Sequence, residues 1–450
     1  MTLQRRSRHQ GGFSLIELMI AMVLGLLVAA GIVSIFISTS SSNRVQTQLA
    51  RLQEQGRYAI TRISSDISSA NGQYCNNSAG PATLGAGGVY VDGLRAPTVY
   101  VPGTTLTSAM SDVTTLWGTG SYPASPTATA YPLPSFLSMR GYDCPATGTC
   151  TPVEPSVSAT TIPAPGVGVG SRVVGTSVLT MRYVNPSAGW TLYPTGSATG
   201  STLTTNAAGA ITQINLAPTG SEPAITNIHA NDLMLVANCS AGQIFGVSGQ
   251  GSATLTPLAS NFSQILGQQG MAAPMLFDLN TDFQTVTYYL QVVDNHDGTT
   301  TGALMRSVNS NNPANQPAEV VRGIERLDFK YGVEYPDGTT QFLSAATVDA
   351  STVATTGCVP MLPAPLDPAD RGCLWRAVKS IEVDLLMNGQ VPLYTLSADE
   401  QQYTYQTDGI TTPAAPGAAG RKVTPAQQNF VNPLLRREFT ALISLRNFNP

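Results

Sequence analysis

Charged side chains are scarce in this chain of 450 residues, because Asp, Glu, Lys and Arg together make up only 11% of it. Globular domains usually carry about 25% of these residues. The 27 acidic residues outnumber the 23 basic ones, and the formal net charge is −4. This balance does not predict a basic surface of the kind that binds nucleic acid.

Histidine is also rare, since the sequence contains only His9, His229 and His296. A serine or cysteine nucleophile needs a base close to it in space, and that base is most often histidine. Neither a Gly-x-Ser-x-Gly context nor a phosphate-binding loop ending in Gly-Lys-Ser/Thr accompanies these residues. We therefore predict a protein that is not an enzyme and that needs no cofactor.

The cysteines lack the spacing of a metal site, because no Cys-x-x-Cys pair occurs and no histidine completes a ligand set. They are Cys75, Cys144, Cys150, Cys239, Cys358 and Cys373. All follow the apolar segment described below, and outside the cytoplasm disulfides persist. Several pairings are possible. Short loops favour Cys144 with Cys150 and Cys358 with Cys373, which leaves Cys75 with Cys239 by elimination.

Two acidic stretches raise the question of calcium. Residues 278–282 begin like a calcium loop, but Phe283 stands where that loop needs glycine and Tyr289 where it needs glutamate. An EF-hand is therefore excluded. Residues 294–298 leave weak Ca²⁺ binding open as an alternative. A hairpin turn is the favoured interpretation there, because Asp and Asn are common turn formers.

An uninterrupted run of uncharged residues, 18–37, stands near the N-terminus. As a helix, residues 13–37 would extend roughly 37 Å at about 1.5 Å per residue, which spans a bilayer core of about 30 Å. Arginines at positions 5, 6 and 8 favour a cytoplasmic N-terminus. Because no small-residue cleavage site follows the run, an ordinary secretory signal is not predicted. Glu17 is the one ionisable residue within the segment, and such residues are functional by default.

The start of this segment resembles the class III signal of type IV prepilins and type II secretion pseudopilins. A short basic leader precedes the matching residues, which are Gly12, Phe13, Ser14, Leu15, Ile16 and Glu17. The resemblance implies that a prepilin peptidase cleaves between Gly12 and Phe13 and methylates Phe13. It also implies that Glu17 is the assembly residue. A new N-terminal ammonium within apolar packing would be a natural partner for this carboxylate.

Beyond the apolar run, the sequence predicts that one long helix continues to about residue 70. Apolar residues recur in steps of three and four, as on one helical face. They are Val45, Leu49, Leu52, Ala59, Ile63, Ile67 and Ala70. We expect this face to pack against the following domain and the helix to stop at Asn71-Gly72. The predicted organisation is a leader at 1–12, a helix at 13–72 with its span at 13–37, a Gly/Pro/Ser/Thr-rich elaborated region at 73–170, and a β-rich head at 171–450.

Alternation of apolar and polar residues recurs along the head and predicts half-buried antiparallel strands. The alternating runs are 178–184, 286–292, 304–308, 327–333, 381–387 and 439–445, and apolar runs occur at 233–237 and 244–247. Residues 295–298 and 336–338 are predicted hairpin turns between neighbouring runs.

This order of elements resembles the PilW family of minor pilins. The segments that carry the resemblance are 286–290 with 304–306, 321–331, 375–386 and 436–447. The resemblance implies an α+β, type IV pilin-like fold, in which a long N-terminal helix packs on an antiparallel β-sheet head with large loop insertions. It further implies a minor pilin that takes part in type IV pilus assembly and priming, at or near the tip.

The implied partners are other minor pilins, the major pilin, the prepilin peptidase and the inner-membrane assembly platform. The implied location is the inner membrane, with a periplasmic head, before assembly, and the pilus at the cell surface afterwards. Two alternatives stay open at this point. One is a type II secretion minor pseudopilin, distinguished by loss of secretion rather than of twitching. The other is a pilus-borne adhesin that uses residues 76–165 and 345–372.

Overall fold

A computed structural model describes most of the chain. The described residues are 14–72, 97–110, 131–147, 149–152, 162–185, 187–194, 196–197, 199–207, 209–225, 228–237, 242–248, 253–258, 273–310, 314–335, 337–352, 355, 358, 371–430 and 433–446. The helices are α1 (Leu15–Ser69), α2 (Gly103–Ala109), α3 (Leu279–Asp282) and α4 (Ala345–Asp349). Short 3-10 turns occur at Ser135–Leu137, Cys373–Ala377, Gln406–Asp408 and Pro425–Gln428.

The strands follow in chain order. They are β1 (Thr98–Val99), β2 (Tyr131–Pro132), β3 (Met139–Tyr142), β4 (Val178–Val184), β5 (Trp190–Pro194), β6 (Ser201–Thr205), β7 (Ile211–Asn215), β8 (Leu233–Ala237), β9 (Gly242–Ser248) and β10 (Thr254–Pro257). The remainder are β11 (Met275–Asp278), β12 (Phe283–Asp294), β13 (Thr300–Val308), β14 (Ala318–Arg322), β15 (Ile324–Glu334), β16 (Thr340–Leu343), β17 (Val378–Asn388), β18 (Tyr403–Tyr405), β19 (Ile410–Ala414) and β20 (Arg436–Ser444).

The strands of the described residues form four sheets, so the expectation of a head built on one antiparallel sheet is wrong. Two sheets face the helix, in the orders β14-β13-β12-β4-β3 and β16-β15-β17-β20. A third sheet has the order β10-β7-β6-β5-β11-β8-β9-β1-β2, and β18 pairs with β19 alone. The pairs β5–β6 and β1–β9 are parallel, unlike the others. The coarser expectation of an α+β chain, with a long N-terminal helix ahead of a mostly β region, is confirmed.

Seven of the strands close into a barrel, because β10 pairs with β7 on one side and with β9 on the other. Around the barrel the order is β5, β6, β7, β10, β9, β8 and β11. Its interior is filled by apolar side chains, which include Trp190, Ile214, Phe245 and Leu255. The chain leaves β4 at Val184 and re-enters β12 at Phe283, and these two residues are paired directly. The barrel is therefore an insertion between two adjacent strands of the five-stranded sheet.

The second half of α1 packs on the two sheets that face it, as its apolar stripe predicts. Leu52, Ala59, Ile63, Ile67 and Ala70 are almost fully buried in the main core, and Val45 and Leu49 pack against it. Gly56 allows the closest approach, because a Cβ built on it would lie 2.6 Å from Cε1 of Phe439 in β20. The helix ends at Ser69, close to the predicted stop, and Asn71 adopts a positive φ of 60°.

The alternating runs of the sequence are strands in the structure, with the predicted hairpins β12–β13 and β15–β16. Several of these strands are buried on both faces rather than on one. In β15, the polar face is covered by a network in which Asp328 accepts hydrogen bonds from Arg326 (2.9 Å), Tyr405 (2.6 Å) and Ser177 (3.0 Å). Alternation in the sequence thus predicts which face of a strand carries the polar side chains. The elements that pack on that face decide whether those side chains are exposed to solvent.

Two of the predicted disulfides are present, Cys144–Cys150 and Cys358–Cys373. The third pair, Cys75 with Cys239, lies outside the described residues. Residues 294–298 form the predicted hairpin turn, in which Asp294 accepts from the His296 N–H at 2.8 Å and Asp297 accepts from the Thr299 N–H at 2.9 Å. Within the described part of the chain, no group of three or more His, Cys, Asp or Glu residues could hold a metal ion.

Candidate assembly helix

The first half of α1 is an apolar surface that the head leaves uncovered. Its large apolar side chains between positions 15 and 37 are each 55% to 77% exposed. The helix is long and apolar enough to cross a membrane, and none of its most apolar stretch is buried. A continuous apolar surface of this size is unfavourable in water, so lipid or another protein must cover it.

Ser14 and Glu17 form a hydrogen-bonded cap at the exposed N-terminal end of α1. The Ser14 Oγ accepts a hydrogen bond from the Glu17 N–H at 3.2 Å, and the Glu17 Oε2 accepts one from the Ser14 N–H at 3.0 Å. This reciprocal capping box satisfies two backbone donors of the first helical turn. The carboxylate also interacts favourably with the positive end of the helix dipole.

The cap supplies a role for Glu17 that the sequence analysis did not foresee, because the carboxylate is hydrogen-bonded within its own chain. Its function in assembly stays a prediction. The two predicted processing residues, Gly12 and Phe13, lie outside the described residues. Ser14 is the residue that directly follows them, so the cap lies next to the predicted cleavage point.

A buried ionic cluster joins the far end of α1 to the head. Asp66 Oδ2 lies 2.7 Å from Nε of Arg306 in β13, and Asp66 Oδ1 lies 3.1 Å from Nη2 of the same side chain. The Tyr288 hydroxyl of β12 donates to Asp66 at 2.6 Å, and the Tyr183 hydroxyl of β4 donates at 3.0 Å. One helical carboxylate is therefore held by side chains from three neighbouring strands.

The pKa values in this cluster follow from burial and pairing. Burial alone would raise the pKa of Asp66, but the hydrogen bonds from Arg306 and Tyr288 and the Arg306 charge hold it below its ordinary value of 3.8. Burial, with the nearby Asp66 charge, raises the pKa of Tyr183 to about 12. Asp66 is thus ionised and both hydroxyls are donors at neutral pH.

Sequence reasoning missed Asp66, although a signal was present. The residue stands between Ile63 and Ile67 on the stripe that we expected to be buried, and a lone acid on such a face needs a partner. The partner could not be named from the sequence, because Arg306 lies 240 positions away.

Further contacts fix the rest of the docked half along its length. The Gln390 Nε2 donates to Gln55 at 3.1 Å, and the Arg446 N–H donates to the Ser68 carbonyl at 3.3 Å. Nearest the exposed half, Ser41 Oγ donates to Thr395 Oγ1 at 2.9 Å. The head therefore contacts α1 from Ser41 to Ser68 and leaves the N-terminal half of the helix exposed.

Two models of known protein families match parts of this chain. Residues 287–447 match the family model described as Type IV Pilus-assembly protein W, and residues 7–33 match the one described as Prokaryotic N-terminal methylation motif. These two matches support a PilW-family type IV pilin with a class III prepilin signal. No curated protein and no solved structure matches it.

The PilW match coincides with the part of the head that holds the helix. It includes Tyr288 and Arg306, two of the partners of Asp66, and the strands β15, β17 and β20. The barrel lies wholly outside it. The methylation motif covers Glu17 and most of the exposed apolar surface. The matches indicate a structural pilin-type protein that anchors in a membrane before assembly and associates with other pilus components.

Proposed function

We propose that this protein is a minor pilin that helps to assemble and prime a type IV pilus at or near its tip. It enters the fibre through α1 after a prepilin peptidase has cleaved between Gly12 and Phe13 and methylated Phe13. The observation that carries the proposal is the division of α1 into a firmly docked half and an uncovered apolar half that begins with Glu17.

The division explains how one helix serves in two surroundings. In the membrane, lipid covers the apolar half. As the subunit leaves the membrane, the apolar halves of other pilins replace the lipid, so burial of apolar surface favours assembly. The docked half stays on the head throughout, because Asp66 and its partners hold it.

Glu17 can set the register of this packing. The carboxylate lies four residues beyond the proposed new N-terminus, and its present partner, the Ser14 N–H, is adjacent to Phe13 in the chain. An N-terminal ammonium from a neighbouring subunit would give the carboxylate an ionic partner within apolar packing. A carboxylate left unpaired there is costly, so correct register is favoured.

The size of the head supports a place at the tip. The head adds an inserted barrel to the sheets that dock α1, and a head of this bulk would crowd its neighbours along a shaft. The interaction partners under this proposal are other minor pilins, the major pilin, the prepilin peptidase and the inner-membrane assembly platform.

The test is the Glu17→Ala variant, compared with Glu54→Ala on an exposed face of the docked half. We expect both variants to be processed normally and only Glu17→Ala to be lost from sheared fibres. Immunoblots of membranes and fibres, with mass spectrometry of the mature N-terminus, measure both steps. Normal recovery of Glu17→Ala in fibres would contradict the proposed role of the carboxylate.

The barrel favours a pilus-borne adhesin as a second candidate. Residues 186–221 and 233–277 contain no charged side chain. On the outer surface, Tyr193, Thr202, Asn215 and Thr254 are paired in succession across β5, β6, β7 and β10. Amide and hydroxyl groups beside an exposed aromatic ring suit an uncharged, hydroxyl-rich ligand such as a neutral polysaccharide.

The two functions are separable by changing the exposed barrel surface alone. Tyr193 and Thr256 are both exposed, so Tyr193→Ser with Thr256→Lys should leave the barrel folded. An adhesin would then lose attachment to neutral polysaccharide and keep its fibres. Unchanged attachment, with normal fibre numbers, would remove this candidate and leave the assembly role standing.

A further inference from the structure

The segment between β17 and β18, residues 389–402, reaches back to the membrane end of α1. Thr395 is hydrogen-bonded to Ser41 at 2.9 Å. Between this segment and the helix lies an open groove of about 790 Å³, lined by helix residues from Ala30 to Gln46 and by Thr395 and Glu400. Part of the head therefore overhangs the helix where the apolar half ends.

The height of this contact above the membrane follows from helix geometry. Ser41 comes four residues after Ile37, the end of the apolar run, which is about 6 Å along the helix axis. A bilayer of about 40–45 Å has a hydrocarbon core of about 30 Å, so each headgroup layer is about 5–7 Å deep. Thr395 consequently lies at the level of the lipid headgroups when α1 spans the membrane.

The side chains next to Thr395 suit that layer. Tyr394, next to Thr395, is 82% exposed, while Leu393 and Leu396 are buried and attach the segment to the core. Tyrosine is enriched at membrane–water interfaces, because its ring is apolar and its hydroxyl is polar. The Tyr394 ring is thus exposed on a segment that its buried neighbours hold against the head.

Charged residues lie near the segment on α1 and within the segment itself. Arg44, exposed on α1 one turn beyond Ser41, lies where a cation would meet lipid phosphates. The acidic residues of the segment are Asp399 and Glu400, and Glu400 lines the groove together with Thr395. Glu400 accepts hydrogen bonds from the N–H and Oγ of Ser397 at 2.8 and 2.9 Å, which satisfies its carboxylate within the segment.

We propose that Tyr394 forms an interfacial anchor that contacts the phospholipid headgroups on the head's side of the membrane. The anchor adds a second membrane contact beside the α1 span and so limits how the head can tilt on its helix before assembly. The proposal depends on the membrane insertion of α1 and not on its later incorporation into a fibre.

The test places a tryptophan at the anchor, as Tyr394→Trp, in the full chain reconstituted in phosphatidylcholine vesicles. Lipids brominated at acyl carbons 6 and 7 quench tryptophan that lies near the headgroup boundary. We expect them to quench about half of the emission that the variant adds to its three native tryptophans, because the boundary lies about 15 Å from the bilayer centre.

The matched control is Phe342→Trp, because Phe342 is also exposed, with 43% of its surface accessible. Phe342 is far from the segment along the sheet, because it pairs with Gly332, and Gly332 lies opposite Ser380 in β17. Ser380 precedes the end of β17, where the segment begins, by eight residues, or about 26 Å. Its added emission should not be quenched.

Resistance of the chain to alkaline carbonate extraction reports the α1 span separately. An inserted chain in which the tryptophan at 394 is quenched no more than the one at 342 would overturn the anchor and leave the proposed function intact. Release of the chain by carbonate would overturn both, because the span itself would then be wrong.

Discussion

Removal of the Asp66 carboxylate should loosen the docked half of α1 without unfolding the head. In Asp66→Ala, Arg306 loses its ionic partner, and the Tyr183 and Tyr288 hydroxyls lose their acceptor. Breaking a buried pair from one side costs about 3–5 kcal/mol. The Arg306 side chain keeps 16% of its surface exposed, so we expect the low end, about 3 kcal/mol.

Amide hydrogen exchange of the full chain in detergent micelles measures this loss where it occurs. A cost of about 3 kcal/mol corresponds to roughly a hundredfold faster exchange in peptides that cover residues 59–69, since each 1.36 kcal/mol is a factor of ten. Peptides from the barrel should exchange at their original rates. Glu54→Ala, which removes an exposed carboxylate from the same helix, is the control.

A double-mutant cycle separates the ion pair from the other contacts of the cluster. Arg306→Met removes the cation while keeping an apolar stem, and Asp66→Ala combined with it leaves no unpaired charge. The double variant should therefore be more stable than the sum of the single losses predicts, by about 1–3 kcal/mol. Additive losses, or less than a threefold change in Asp66→Ala alone, would refute the cluster as the lock on the helix.

The same cluster predicts a pH dependence with a defined sign. Because the pKa of Asp66 lies below its ordinary value of 3.8 in the folded chain, its contribution is complete above that value. The contribution is lost as pH falls through the lower folded pKa. Protection of residues 59–69, corrected for intrinsic exchange, should therefore fall below pH 3.8 in the parent chain. Asp66→Ala should lack this component, and an identical acid profile would contradict the assignment.

Two further predictions concern glycines. Gly56→Leu should speed amide exchange in the docked half by an amount equivalent to about 2 kcal/mol, because the added side chain clashes with the Phe439 ring. The control, Ala50→Leu on an exposed face, should leave the exchange rate unchanged. Equal effects of the two variants would count against close packing at Gly56. Gly12→Leu should block processing, so that mass spectrometry finds the leader retained, and a mature N-terminus at Phe13 in that variant would show that the glycine is dispensable.

Sequence periodicity predicted the elements well and their assembly poorly, for a physical reason. Repeats of three and four placed Leu52, Ala59 and Ile63 on the docked face, because helix geometry alone decides which side chains share a face. The short spacing of Cys144 and Cys150 likewise pointed to their bond. Both signals arise between residues that are close together in the sequence, so they can be recognised without knowing which strands pair.

The barrel and the Asp66 cluster depend on pairings that no local pattern encodes. Closure of the barrel needs β10 to pair with both β7 and β9, and β10 is only four residues long. The cluster needs β4, β12 and β13 to be neighbours before Tyr183, Tyr288 and Arg306 can converge on one carboxylate. A one-sheet head was therefore the simplest interpretation of the alternation, and it was wrong.

The position of the barrel explains how a pilin head can gain a large insertion without loosening its helix. Val184 and Phe283 remain paired on either side of the insertion, so β4 and β12 keep the register that brings Tyr183 and Tyr288 to Asp66. A change to the outer barrel surface should consequently leave exchange at residues 59–69 unaltered. Docking of the helix and elaboration of the head are thus separate properties of the fold, which allows the barrel surface to vary while the helix remains fit for assembly.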